Sequence, residues 1–254
     1  MKKICVLFLA LFNLACVHKI VPPAEFVYKE IVTDTFKLYS YQKLKDARKP
    51  VKIYIEGDGY AFNFQGLPSS DPTPKSAFLR NIAFSDYNEN VVYLARPCQY
   101  ILDKNPICSK RHWSTARFAP ETIRSTAEAI KQIAGNNEVI LIGFSGGAQV
   151  AGLAAALNSD IKVKKIITIA GNLDHLAWTE YHKLPPLSES LNLENYHKIF
   201  ASIPQLHYVG KKDKNITIEL VENFVQDKSL IVVVDKASHN YGWENIIPKI
   251  ISEN

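Results

Sequence analysis

Three residues far apart in the chain carry groups that together can turn an alcohol into a nucleophile: Ser145, Asp213 and His239. A serine hydroxyl attacks poorly at neutral pH. It needs a base to take its proton and an acid to orient the base. Ser145 sits in Gly143-Phe144-Ser145-Gly146-Gly147, between the branched apolar run Val139 to Ile142 and the alanine-rich segment ending at Leu157. That order reads as buried strand, abrupt turn and buried helix, the setting of a nucleophile elbow. The small neighbours Gly143 and Gly147 let strand and helix approach closely. A helix starting at Gly146 would aim unpaired N–H groups at whatever Ser145 attacks. The five letters alone are a weak signal, and a glycine-rich turn can also cradle phosphate. Here, however, there is no Gly-Lys-Ser/Thr ending and no G-x-G-x-x-G.

Partners for such a serine follow it in the order acid, then histidine. Asp213 follows the apolar run Leu206 to Val209, and His239 follows Leu230 to Val234. We therefore assign Ser145 as nucleophile, His239 as general base and then acid, and Asp213 as the orienting carboxylate. Asp235 is the substitute acid and His175 the rival base, although Leu176, Ala177 and Trp178 after it suggest the start of a cap helix. An oxyanion hole needs two backbone amides. Gly146 supplies one. Glu56-Gly57-Asp58-Gly59-Tyr60, after the strand Val51 to Ile55, supplies the other, with Asp58 first and Tyr60 second. A carboxylate at Asp58 is awkward beside a developing oxyanion, so its side chain is expected to turn away, toward Arg96.

The elements that must position these groups alternate. Phe26 to Leu44 reads as a two-stranded lead-in, Val51 to Ile55 and Val91 to Ala95 as buried strands, and Pro120 as the start of a helix ended by Gly135-Asn136-Asn137. Thr73-Pro74 reads as the cap and first residue of a helix through Phe84. Val163 to Ala170, Leu206 to Val209 and Leu230 to Val234 complete the strands. A helix over Ile216 to Val225 lies between the last two, and a final helix is shortened by Pro248. Apolar strands alternating with helices mean an α/β fold with a mostly parallel sheet covered on both faces. In such sheets ligands bind at the carboxyl ends of the strands.

The chain after its leader resembles the α/β-hydrolase superfamily and, more narrowly, a bacterial group of exported α/β hydrolases of lipoprotein type. The resemblance rests on Glu56-Gly57-Asp58-Gly59, Ala95-Arg96-Pro97-Cys98-Gln99-Tyr100, Gly143 to Gly147 and Gly171-Asn172-Leu173-Asp174-His175. It implies a core of about eight strands and a Ser-His-acid triad landing on Ser145, His239 and Asp213. It says little about what is cleaved.

Residues 1–16 read as a leader: Lys2 and Lys3, the apolar run Ile4 to Phe12, then Asn13-Leu14-Ala15-Cys16. The run is too short for a permanent span. Ala15-Cys16 resembles a lipobox with Cys16 as the lipidated residue. Simple secretory cleavage near Ala15 is the competing reading. Residues 17–25, with Pro22-Pro23, form a tether, and residues 26–254 a single hydrolase domain. Export would place that domain at the bacterial cell envelope, facing the periplasm. It would also leave Cys98 and Cys108 in an oxidising compartment, where a disulfide across so short a loop contributes about 3 kcal/mol; two free thiols are the cytosolic alternative. Residues 172–204 are a long excursion, either a lid with pocket-lining aromatics or an ordinary crossover.

The formal charge is +5, and +3 without Lys2 and Lys3, too mild and scattered for nucleic acid. The spacing of Asp174, His175, His182 and His197 fits no tight metal site. The expectation is thus a serine hydrolase acting on a small-molecule acyl or ester substrate without metal or cofactor, held to a membrane by a lipid anchor. Acyl transfer to another acceptor would use the same site. A non-catalytic lipoprotein using the fold as a binding scaffold is the rival from another class. Nothing in the sequence fixes an oligomeric state.

Overall fold

The computed structural model describes residues 20–254. The leader and Cys16 lie outside them, as does the start of the tether. Eight strands form one sheet: β1 (Val27–Val32), β2 (Lys37–Leu44), β3 (Val51–Ile55), β4 (Asn90–Leu94), β5 (Val139–Phe144), β6 (Val163–Ile169), β7 (Gln205–Gly210) and β8 (Ile231–Val234). Their order is β1-β2-β4-β3-β5-β6-β7-β8. The first two strands pair antiparallel, β2 joins β4 antiparallel, and the rest is parallel. The α/β class and the eight-stranded sheet agree with the sequence reading.

Burial explains the sequence pattern. Every residue of β3, β4 and β5 is buried, so these strands read as largely apolar runs instead of alternating ones, with Lys52 and Asn90 the buried polar exceptions. Two separate apolar clusters cover the two faces. One gathers α2 (Pro120–Ala134), α3 (Gly146–Leu157) and α6 (Ile218–Val225), whereas the other gathers α1 (Phe78–Ser85) and α7 (Ile247–Ser252). Pro120 opens α2 where its missing N–H is harmless, and Pro248 lies in the first turn of the short α7. Between β6 and β7 run α4 (His175–Tyr181) and α5 (His197–Phe200).

The helix expected from Thr73 begins instead at Phe78. The Thr73 hydroxyl accepts the Tyr100 N–H at 2.7 Å, and the Pro72 carbonyl accepts the Tyr60 N–H at 2.9 Å. Pro72 and Thr73 therefore brace two loops, and Thr73-Pro74 starts no helix. Leu230 also departs from expectation: it ends a short 3-10 turn, capped by Asp227, that leads into β8.

His207 is fully buried in β7. Its Nε2 donates to Gln205 Oε1 at 2.8 Å, and its Nδ1 accepts from Thr168 Oγ1 at 2.9 Å. Burial pushes its pKa down to about 4 from the ordinary 6.5. The unfolded chain therefore binds a proton that the native state does not, and stability falls as pH drops from about 6.5 to about 4. In urea unfolding, His207→Gln should shrink the stability lost between neutral pH and pH 4 by up to about 3 kcal/mol. An unchanged pH dependence would contradict the assignment.

Candidate active site

The site is built at the carboxyl edge of the sheet, where β3, β5, β7 and β8 end. At the end of β5 the chain turns into α3 through Ser145, whose φ of 51° lies in the left-handed region. Such backbone costs on the order of 1–3 kcal/mol and persists only when surrounding bonds hold it. Here they do. The Ser145 N–H donates to the Ile169 carbonyl at 3.1 Å, and the Ser145 carbonyl accepts from Asn172 at 3.0 Å and Ala148 at 3.1 Å. Close approach fixes the two flanking glycines. A Cβ at Gly143 would meet the backbone of Ala148 at 2.5 Å, and one at Gly147 would collide with the carbonyl oxygens of Ile55 and Glu56.

The side chains of the three residues meet. His239 Nε2 lies 3.0 Å from Ser145 Oγ, and His239 Nδ1 lies 2.8 Å from Asp213 Oδ2. Asp213 is fully buried, and its other oxygen accepts the N–H groups of Asn215 at 2.8 Å and Ile216 at 3.0 Å. With both oxygens occupied, the carboxylate cannot swing away from the imidazole. The loops carrying acid and base are also tied together, since the Lys212 N–H donates to the Ala237 carbonyl at 2.8 Å.

The alternatives lie elsewhere. Asp235 is exposed and pairs with Lys211 at 2.9 Å. His175 is buried at the start of α4 and stacks on Phe118 at 5.8 Å. Asp174 caps that helix and also accepts from Asn192 Nδ2, which accounts for its place after Gly171-Asn172-Leu173. His182 and His197 contact the backbone carbonyls of Asn215 and Phe224, respectively.

At the end of β3, Gly57 packs against Phe144 and Ser145. Among the described residues no hydrogen bond uses the amide of Asp58, so that donor stays available beside Gly146. The Tyr60 amide does not, because the Pro72 carbonyl takes it; this corrects the assignment of Tyr60 as a second donor. The Asp58 carboxylate turns to Arg96 as expected, at 2.9 Å, but also to Arg117 at 2.6 Å, and it rests over the Cα of Gly146 instead of leaving the site. Burial alone would raise its pKa. Arg117 and Arg96 overcome that and hold it below the ordinary carboxylate value. Behind it, Glu56 is buried and its pKa is raised by burial, although Tyr93 Oη and the Gly57 N–H donate to it.

A cavity of about 790 Å³ opens over Ser145 and His239. Its walls include Phe62 and Phe78, and Trp178, Leu184 and Leu187 of the excursion. Two wall residues escaped the sequence reading. Asn215 Oδ1 accepts from Trp178 Nε1 at 3.1 Å, which turns its Nδ2 to His239 Nε2 at 3.3 Å. Arg117 reaches the site from the loop before α2. Neither stands in a recognisable motif; only the covering of the sheet edge by neighbouring loops brings them in. Cys98 and Cys108 have their sulfur atoms at covalent-bond distance and Cα atoms 5.8 Å apart.

A family model described as Serine hydrolase (FSH1) matches residues 93–237. A search of curated proteins finds no match. Among solved structures, an esterase of Pyrococcus furiosus is similar over 92% of this chain and 93% of its own, with 17% identity and a TM-score of 0.57. Est1E of Butyrivibrio proteoclasticus with bound ferulic acid is similar over 89% and 96%, with 14% identity and a TM-score of 0.63. An α/β serine hydrolase of Xanthomonas campestris, described as lacking a lid, is similar over 92% and 93%, with 14% identity and a TM-score of 0.54. These likenesses establish a shared fold.

Removing the Asp58 charge would leave two buried guanidiniums without their shared anion. Asp58→Asn should therefore lower unfolding free energy by about 3 kcal/mol in chemical denaturation, the scale of breaking a buried ion pair. A loss below about 0.5 kcal/mol, the size of an ordinary surface change, would contradict this electrostatic account.

Proposed function

The chain belongs to the FSH1 serine hydrolase family, and on that premise we propose that it cleaves an ester or related acyl bond with Ser145 as nucleophile, His239 as base and acid, and Asp213 as orienter. The observation that carries this reading is the unbroken relay from Ser145 Oγ through both ring nitrogens of His239 to Asp213.

In the proposed sequence, Ser145 Oγ attacks the acyl carbon while His239 Nε2 takes its proton. Asp213 holds the Nδ1–H and stabilises the imidazolium that forms. The carbonyl oxygen becomes an oxyanion held by the amides of Gly146 and Asp58. When the tetrahedral intermediate collapses, the bond to the leaving oxygen breaks, and His239 returns the proton to it. Water then attacks the acyl-enzyme with His239 again as base, the acid leaves and Ser145 is restored. The donor from Asn215 to Nε2 favours an imidazole ready to accept, because an Nδ2 amide can only donate. An apolar acyl or aryl group suits the aromatic side of the cavity, formed by Phe62, Phe78 and Trp178. The excursion, residues 172–204, serves as one wall of that pocket.

The rest of the reading concerns placement. We assign Cys16 as the lipidated residue of an exported, membrane-anchored hydrolase, with residues 17–25 as tether and residues 26–254 as the catalytic domain at the periplasmic face of the envelope. A disulfide between Cys98 and Cys108 fits that oxidising compartment.

Ser145→Ala should lower kcat on p-nitrophenyl esters by on the order of 10⁴ or more, with an unchanged circular dichroism spectrum. Equal turnover by purified wild type and variant would remove Ser145 from the reaction. Mass spectrometry of the mature protein should find a modified Cys16 at the N-terminus. A start at another residue, or an unmodified Cys16, would remove the anchor.

A further inference from the structure

We propose that the cavity over Ser145 selects esters carrying a carboxylate, with Arg117 as the recognition residue and Lys75 as a second cation at the rim. This rests on the serine-hydrolase reading and narrows its substrate class.

The charge balance of the site is uneven. Asp58 is shared by two guanidiniums, those of Arg96 and Arg117, and cannot neutralise both, while burial disfavours the charge of the neighbouring Glu56. Both arginine side chains are only 5% exposed. Arg96 is turned inward: its Nη1 donates to Asp58 and its Nη2 to the Arg117 carbonyl, while among the described residues its buried Nε finds no partner. Arg117 is not. Its Nη1 donates to Asp58 and its Nε to the Ser114 carbonyl at 3.0 Å, whereas among the described residues its Nη2 has no protein partner. The same residue lines the cavity that holds Ser145 and His239.

The surroundings of that guanidinium point the same way. It lies 5.3 Å from the Phe62 ring and 5.9 Å from the Trp178 ring. Aromatic faces attract cations but accept an N–H far more weakly than an oxygen does. Lys75 lines the same cavity, with its ammonium 3.3 Å from the centre of the Tyr60 ring. The remaining carboxyl group in the wall, Glu56, is held by Tyr93 and the Gly57 amide, and burial disfavours the charge that would repel an anionic ligand. A guanidinium with an unpartnered terminal nitrogen, set among aromatic faces, suits a carboxylate oxygen, which would strengthen the contact by its charge. Through Asp58, which rests over Gly146, Arg117 is only one side chain away from the elbow. The carboxylate would therefore lie a short distance from the bond that breaks.

The test pairs esters that differ only in charge: p-nitrophenyl hemiglutarate against p-nitrophenyl glutaramate for the acyl side, and 3-carboxyphenyl against 3-carbamoylphenyl butyrate for the leaving side. In at least one pair, kcat/KM for the carboxylate should exceed that for the amide by about tenfold or more, the contribution expected of one hydrogen bond between charged groups. The ratio should shrink as salt is added. Arg117→Gln should bring it close to one, and Lys75→Ala, at an exposed position, should lower it without unfolding the protein. Ratios at or below one in both pairs, with Ser145-dependent turnover of the amides, would overturn the selectivity and leave the hydrolase reading intact. Calorimetric binding to Ser145→Ala protein tests recognition apart from turnover. Glutarate should bind more tightly than glutaramide and lose that advantage in the Arg117→Gln background, whereas equal binding or none overturns the proposal.

Discussion

The structure depends most on one strained backbone turn. Ser145 holds a left-handed φ that a residue with a side chain normally avoids. Only the contacts around it make that conformation persist. β6 accepts its N–H, Asn172 and Ala148 donate to its carbonyl, and two glycines remove the Cβ atoms that would separate β5, α3 and β3. With Ser145 so fixed, its hydroxyl stands at the sheet edge, and the loops after β7 and β8 need only bring Asp213 and His239 to it. They do so with a buried carboxylate saturated by two backbone amides and one imidazole.

A second constraint concerns charge. The loop that offers the Asp58 amide also brings a carboxylate up against Gly146, where negative charge would oppose a developing oxyanion. Arg96 and Arg117 answer this from behind, with one guanidinium more than the carboxylate can neutralise. The cost of burying these cations is offset by close geometry and by the faces of Phe118, Phe62 and Trp178. Around Asp58 the site therefore sets two guanidiniums against one carboxylate, at the wall of a mostly apolar cavity.

Much of this was legible in the sequence, and what was not has identifiable causes. The buried strands and the elbow stand out because fully covered parallel strands are continuous apolar runs, and because a turn this tight tolerates only small neighbours. Asp213 and His239 were findable because chain order and strand ends restrict the candidates. Thr73-Pro74 misled because its local cap chemistry was taken up by a tertiary bond to Tyr100. Tyr60 misled because the sequence does not reveal that Pro72 takes its amide. Asn215 and Arg117 were invisible for a related reason: their importance comes from Trp178, Asp58 and the cavity between them, all distant in the chain. The sequence also gave no sign that Asp58, expected to turn away, would stay over Gly146 while bonded to both arginines.

The central claim is that Ser145 is a hydroxyl made reactive by His239 and Asp213. The most direct measurement is peptide mass spectrometry after exposure of the folded protein to a fluorophosphonate. The account predicts one adduct, on the peptide containing Ser145, that is lost on denaturation and in His239→Ala. An adduct on another residue, or no adduct on folded protein, would contradict it.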